Sequence, residues 1–282
     1  MSEIVINAQN LSKNFYNFDS RLPFIKRFLK RNQITIRAVQ DISFTIKRGS
    51  IVGFIGSNGA GKSTTIKMLT GTLYPSSGKL EVNGEIPFKR SINFRKKISI
   101  VVGNKLQLFQ DVSAMDYFQL IGTLYEVEPA ILQERIQELS NLLNVKDQLY
   151  QQVRTLSLGQ KMKMEFIAAS LTSPEILFLD EPTIGLDIQS KKDIRTFLKK
   201  MNEECHTTII LTSHDMDDIS SVCDELIVID KGKIILQESM DVILSKFSDF
   251  KYLKIKMTLD LVPELCSVKG VVVISQTKSE CI

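Results

Sequence analysis

The stretch that decides the fold is Gly56-Ser57-Asn58-Gly59-Ala60-Gly61-Lys62-Ser63-Thr64. It follows an apolar run, Ile51–Ile55, and precedes an amphipathic segment, Thr64–Leu69. This order of strand, glycine-rich turn and helix is typical of a phosphate-binding loop, in which backbone N–H groups and the positive end of the helix face one anion. Every residue of the stretch is therefore a candidate for binding a nucleotide. Lys62 would reach the β- and γ-phosphates, and the Ser63 hydroxyl would bind Mg²⁺.

A second apolar run, Ile176–Leu179, ends in the adjacent acids Asp180 and Glu181. It predicts a buried parallel strand that brings two carboxylates to the carboxyl edge of a sheet. Asp180 is then a candidate Mg²⁺ partner. Glu181 is a candidate catalytic residue that polarises water for attack on the γ-phosphate, as a general base. The plainer alternative is a strand followed by an acidic start to a helix before Pro182.

A third motif, Leu156-Ser157-Leu158-Gly159-Gln160, precedes the helical pattern Lys161–Leu171. With the two motifs above, it resembles the nucleotide-binding subunits of ABC transporters, whose signature reads Leu-Ser-Gly-Gly-Gln. The resemblance implies that Ser157, Gly159 and Gln160 of one subunit cap the ATP held by the phosphate loop of another. Leu158 departs from the family's glycine. Because a positive φ would cost leucine about 1–2 kcal/mol, we predict a negative φ there.

Two further segments occur in the order that the resemblance implies. Ile184-Gly185-Leu186-Asp187 matches the D-loop, which connects the two composite ATP sites, and Asp187 is its candidate binding residue. His214 follows the strand pattern Thr207–Ser213 and matches the switch histidine that contacts the γ-phosphate and supports the attacking water. His206 lacks this context, and we expect it at the surface.

Two positions depart from the family pattern or leave alternatives open. The family's Q-loop glutamine, which touches Mg²⁺ or water, aligns with Asn104 after the strand pattern Ile98–Val102; Gln107 would serve instead if the loop is shifted. The aromatic residue on which the family stacks adenine aligns with Phe15. Stacking would contribute about 1–3 kcal/mol, and the alternative is that Phe15 packs under the first strand.

The segment Asp19–Arg37 is the chain's most individual feature. Pro23 can begin a helix, and apolar residues recur at helical spacing among Lys and Arg residues. A basic amphipathic helix can lie on an anionic membrane or on a partner. The more common arrangement is a helix packed on its own domain with a solvated basic face.

Composition fits an intracellular enzyme subunit. The 282 residues carry a net charge of +4, and 43% are hydrophobic; the mild charge does not suggest nucleic-acid binding. The cysteines show neither metal-site nor disulfide spacing, which fits a reducing compartment. No apolar run approaches the roughly 18 residues of a membrane span, and the first residues show no signal peptide. We therefore expect a cytoplasmic protein, held on the inner face of the membrane by a separate permease.

The motifs predict an α/β fold. Its core is a RecA-like P-loop NTPase, with an N-terminal antiparallel β subdomain, an inserted helical subdomain at about 111–171, and a small α+β appendage. Residues 1–238 would form the ATPase domain and 239–282 the appendage.

The resemblance implies an ATPase subunit of an ABC-2 type exporter. It would bind and hydrolyse ATP with Mg²⁺ as a homodimer or heterodimer and would drive export of a drug, antibiotic, lipid or polysaccharide through an integral membrane permease. One alternative is a soluble ABC ATPase that acts mechanically on ribosomes or DNA. Another is a module that binds ATP without hydrolysing it.

Overall fold

A computed structural model describes residues 3–18, 33–247, 255–256, 276–277 and 280–281. The chain divides into two compact units, Met1–Met240 and Asp241–Ile282. Residues 19–32, which include the predicted basic helix, lie outside the described residues, and the end of that segment, at 33–37, belongs to a strand. In the second unit the described elements are α8 (Met240–Phe247, which begins at the last residue of the first unit) and the short strands β10 (Ile255–Lys256), β11 (Gln276–Thr277) and β12 (Glu280–Cys281).

A three-stranded antiparallel sheet lies at the N-terminal side of the first unit. Its strand order is β2-β1-β4, with β1 at Ile4–Phe18, β2 at Gln33–Lys47 and β4 at Ser77–Val82. The sequence predicts an antiparallel β subdomain here, and β1 and β2 are each 15 residues long. They pair along their whole length as one irregular hairpin, and register shifts interrupt the pairing.

The central sheet has six strands in the order β5-β6-β7-β3-β8-β9. The strands are β3 (Ile51–Ile55), β5 (Ile98–Val102), β6 (Ile176–Asp180), β7 (Thr208–Ser213), β8 (Glu225–Asp230) and β9 (Lys233–Ser239). All neighbours are parallel except β8 and β9, which are antiparallel. The middle strands are largely apolar because both of their faces are covered; Phe54 and Phe178 are completely buried.

The helices fall into two groups. The first group lies around the sheet and consists of α1 (Lys62–Leu69), α2 (Ile92–Lys97), α6 (Ile188–Cys205) and α7 (Met216–Ser220). The second group lies between β5 and β6 in chain order and consists of α3 (Ala114–Leu124), α4 (Pro129–Leu142) and α5 (Leu158–Ser170). The second group lies within the segment at about 111–171 for which the sequence predicts a helical subdomain.

One hydrophobic core joins the two sheets. Its buried residues come from β1, β2 and β4 as well as from β3, β6, β7 and β8. The rings of Phe44 and Phe54 meet edge to face at 5.4 Å between centroids. Backbone hydrogen bonds extend this connection to the glycine-rich loop. The backbone amide of Gln40 donates to the Gly232 carbonyl at 2.7 Å, and the backbone amide of Gly232 donates to the Ala60 carbonyl at 2.8 Å.

Candidate functional site

The predicted phosphate loop connects β3 to α1. Gly61 precedes the helix with a φ of 114°, a left-handed conformation that glycine adopts without strain. Lys62 begins the helix and is only 4% exposed. Its Nζ donates to the carbonyl of Gly56 at 2.7 Å and to that of Ser57 at 3.2 Å, so the lysine is folded over the loop. The crest of the loop, formed by Ser57, Asn58 and Gly59, is exposed.

The carboxylate of Asp180 lies beside the start of α1. Its Oδ1 accepts from the Ser63 hydroxyl at 2.9 Å and from the Thr212 hydroxyl at 2.7 Å. Thr212 can make this contact because β7 lies between β3 and β6, and its register places Thr212 opposite both Phe54 and Asp180. Ser63 and Asp180, predicted from separate motifs, are therefore in direct contact.

Glu181 lies between the loop lysine and His214. Its Oε1 is 3.5 Å from Lys62 Nζ, and its Oε2 is 3.6 Å from His214 Nδ1. The His214 side chain is half exposed, whereas that of Glu181 is 24% exposed. Glu181 has a φ of 50°, a conformation that costs a residue other than glycine about 1–3 kcal/mol and that persists only where the surroundings hold it.

The two Q-loop candidates lie in the loop after β5 and have different surroundings. Asn104 is exposed. Gln107 is fixed elsewhere: its Nε2 donates to the Ile100 carbonyl at 2.8 Å. The backbone amides of Gln107 and Leu108 both donate to Oε1 of Glu165 on α5, the second at 2.8 Å. Burial raises the pKa of Glu165, and these two backbone donors oppose that effect. The Gln107 side chain is thus engaged with β5, and the Q-loop assignment to Asn104 stays a prediction.

The segment Leu156–Gln160 forms the start of α5. Ser157 caps the helix: its Oγ accepts from the Gln160 amide at 3.2 Å, and the Gln160 side chain accepts from the Ser157 amide at 2.9 Å. A reciprocal cap of this kind stabilises a helix start by roughly 1 kcal/mol. Leu158 is the first helical residue and has a negative φ, as predicted.

The D-loop candidate lies against this helix start. Asp187 caps α6 by accepting from the Ser190 amide at 2.8 Å and from its hydroxyl at 2.7 Å, and the hydroxyl bond is the main reason that the pKa of Asp187 is lowered. Gly159 approaches the same pair so closely that an added Cβ would lie 2.2 Å from Ser190 Oγ. The two predicted segments are thus packed together.

The predicted residues form two groups. Lys62, Ser63, Asp180, Glu181 and His214 converge at one edge of the sheet. Ser157, Gly159, Gln160 and Asp187 form the second group. Among the described residues, no hydrogen bond or ion pair joins the side chains of one group to those of the other.

Phe15 lies on β1 opposite Ile36. Its side chain is 40% exposed, and base stacking by this ring stays a prediction. Lys13 Nζ lies 5.3 Å from the centre of the ring. His206 is exposed at the end of α6, as expected.

Sequence reasoning missed three residues of the site: Thr212, Gly103 and Glu165. The Gly103 amide donates to the Asp180 carbonyl at 2.9 Å. The serine and glutamine of the α5 cap are recognisable from their spacing. No local pattern indicates Thr212 or Glu165, because their partners lie 32 and 58 positions away.

Strand β3, the phosphate loop, α1 and the acids that end β6 define a P-loop nucleoside triphosphatase. Residues 39–184 match the ABC transporter family. The ABC transporter ATP-binding protein NatA of Bacillus subtilis (strain 168) is 32% identical over 216 residues, which make up 77% of this chain and 87% of NatA. The chain therefore belongs to the ABC transporter family, as an ATP-binding subunit that hydrolyses ATP.

Two further likenesses agree with this assignment. The linearmycin resistance ATP-binding protein LnrL of the same bacterium is 34% identical over 197 residues, covering 70% of this chain and 63% of LnrL, so the match spans less than two thirds of that relative. The structure of cbiO1 from Clostridium perfringens, part of the ABC transporter complex cbiONQ, superimposes with a TM-score of 0.71 at 26% identity, covering 86% of this chain and 92% of that one. In the described part of the chain, no helix has the length and apolar character needed to cross a membrane.

Proposed function

We propose that this subunit binds ATP with Mg²⁺ at the phosphate loop and hydrolyses it to drive export through a separate membrane permease. The observation that carries the proposal is the convergence of Ser63, Asp180, Glu181 and His214 at one edge of the sheet. Glu181 would take a proton from the attacking water, and His214 would steady that water and the γ-phosphate. Lys62, now bonded to loop carbonyls, would turn to the phosphates.

The residues present fit a magnesium ion. Ser63 and Asp180 offer oxygen atoms, which Mg²⁺ prefers, and they are already in contact. Among the described residues no cluster of three or more His, Cys, Asp or Glu side chains could hold a metal, so the ion would complete its shell with phosphate and water. Bound there, Mg²⁺ would offset phosphate charge. Asn104 is the candidate that would orient a water beside it.

We propose further that two subunits enclose each ATP between them. In each subunit Ser157, Gly159 and Gln160 stand at a helix start, whose positive end favours an anion. The remaining phosphate-loop residues, Gly56, Ser57, Asn58, Gly59, Ala60, Gly61 and Thr64, would hold the other side, with Phe15 stacked on adenine and Asp187 connecting the two sites.

The transport role rests on the family and on the relatives' names. LnrL is named for linearmycin resistance, which supports export of a drug, antibiotic, lipid or polysaccharide. The subunit would then lie at the cytoplasmic face of the membrane through its permease.

Affinity purification of the tagged Glu181→Gln variant from detergent-solubilised membranes of the native host tests this role. We expect a polytopic membrane protein to be recovered with the chain, and the presence or absence of a second ATPase subunit distinguishes a heterodimer from a homodimer. Recovery of ribosomes, nucleic acid or soluble proteins alone would instead favour the mechanical ATPases.

Replacing Asn104 by glutamine tests the Q-loop assignment. The added methylene would bring the amide closer to the ion and water, and we expect kcat to rise about 3- to 10-fold, since a displacement of about 1 Å can cost up to ~100-fold. Steady-state ATPase assays measure this effect. If Asn104→Gln changes nothing while Gln107→Asn lowers kcat, the shifted alignment is the correct one.

A further inference from the structure

The left-handed backbone conformation of Glu181 must be held by hydrogen bonds to the residues before and after it. Hydrogen bonds hold the residues on the preceding side. The Glu181 amide donates to Thr212 Oγ1 at 3.0 Å and to the Thr212 carbonyl at 3.2 Å, and the Gly103 amide holds the Asp180 carbonyl. On the following side the Glu181 carbonyl accepts from the Ile184 amide at 3.4 Å. Pro182 has no amide hydrogen to donate, so Thr183 is the first following residue whose side chain can fix the backbone.

Thr183 is buried, and its hydroxyl donates to Oδ2 of Asp218 at 2.6 Å. Asp218 lies on α7, four residues after His214, and its side chain is 3% exposed. One hydrogen bond therefore connects the segment that follows Glu181 to the helix that follows His214.

Two cations from α6 complete the surroundings of Asp218. Arg195 Nη2 bonds to its Oδ1, and Lys191 Nζ lies 3.3 Å from its Oδ2 and 3.2 Å from Asp215. Burial would raise the pKa of Asp218, but the bonds from Thr183 and Arg195 and the charge of Lys191 hold it below its ordinary value. The carboxylate is therefore ionised at neutral pH and acts as a fixed acceptor.

We propose that Thr183 and Asp218 are positioning residues for hydrolysis. Their hydrogen bond, here called the Thr183–Asp218 clamp, keeps Glu181 in its left-handed conformation and at a fixed distance from His214. This inference rests on the proposed role of Glu181. Neither clamp residue belongs to the phosphate loop or to the segment 156–160. Loss of the clamp lets the Glu181 backbone relax, so the carboxylate no longer points at the attacking water.

The clamp predicts a specific kinetic result for Thr183→Val, which removes the hydroxyl and keeps the shape. In the purified full-length chain we expect kcat for ATP to fall about 10- to 100-fold, the size expected for a small misplacement of a catalytic group. KM for ATP and the affinity for a non-hydrolysable ATP analogue stay within about twofold, because the phosphate loop is untouched. Thr183→Ser, which restores the hydroxyl, returns kcat to near its original value.

The matched control is Thr196→Val on α6. Thr196 is exposed, and its hydroxyl donates only to the Lys192 carbonyl one turn earlier, so we expect its kcat to be unchanged. An unchanged kcat in Thr183→Val, or a fall that Thr183→Ser does not restore, overturns the clamp. If Thr183→Val does not fold, Thr183→Ala provides the same comparison, because it also removes the hydroxyl that donates to Asp218.

The proposed function and the clamp fail in different ways. If Glu181→Gln turns over ATP normally, the role of Glu181 is wrong and the clamp loses its basis. If Glu181→Gln is inactive while Thr183→Val is fully active, the clamp alone is wrong.

Discussion

We expect the Glu181→Gln variant to bind ATP normally and to hydrolyse it about 100- to 10,000-fold more slowly than the unchanged chain, which is the usual contribution of a general base. Glutamine has almost the same shape as glutamate but cannot accept the proton of the attacking water. The neighbours of Glu181 are Lys62 Nζ at 3.5 Å and His214 Nδ1 at 3.6 Å. Both can also face an amide oxygen, so the fold and the phosphate loop should remain intact.

Steady-state phosphate release measures the turnover, and equilibrium binding of a fluorescent ATP analogue measures the affinity. Glu203→Gln is the matched control, because Glu203 is exposed on α6 and far in sequence from the phosphate loop. If Glu181→Gln keeps more than about a tenth of the original turnover, Glu181 is not the base. Loss of ATP binding would point instead to a structural role.

Gly103→Ala should cause the second largest effect. A Cβ at this position would lie 1.8 Å from the Glu181 carbonyl oxygen and 2.7 Å from its carbonyl carbon. Both atoms belong to the backbone and cannot move aside as a side chain would. We expect the free energy of unfolding to fall by about 3 kcal/mol, the upper end of ordinary overpacking, and ATP hydrolysis to be lost because Glu181 is displaced.

Gly84→Ala is the control for this variant. Gly84 has a φ of 74°, but an added Cβ there has no neighbour within 4 Å. Only backbone strain of about 1 kcal/mol applies, and turnover should not change. Urea unfolding followed by circular dichroism, together with ATPase assays, compares the two variants. Similar losses of stability would show that the close approach of Gly103 to Glu181 is not what matters.

Strands β3, β5, β6 and β7 of the central sheet could be predicted from the sequence because they are short, largely apolar runs. Ile51–Ile55 and Ile98–Val102 correspond to β3 and β5 without a shift in their bounds. The lengths of β1 and β2 could not be predicted in this way. These strands mix polar and apolar residues, and their extent depends on pairing with each other across a long intervening segment.

The residues of the candidate site also divide into those that the sequence indicates and those that it does not. The phosphate loop, Asp180 and Glu181 are recognisable because their chemistry lies within a few consecutive residues. Thr212, Asp218 and Glu165 are not, because each acts on a segment that only the folded chain brings near. Their hydrogen bonds to Asp180, Thr183 and Gln107 cross 32, 35 and 58 positions. Sequence motifs thus indicate the groups that would meet the nucleotide, whereas the side chains that hold those groups emerge only from the topology.

The hydrogen bonds from Gln40 through Gly232 to Ala60 have a consequence for how this protein can vary. They fasten β2 to the phosphate loop at a point well inside the strand, seven residues beyond its first residue, Gln33. Seven residues of β2, beginning with Gln33 and paired with β1, therefore precede the point of attachment, so a change made at the start of this strand can reach the phosphate loop only through paired backbone.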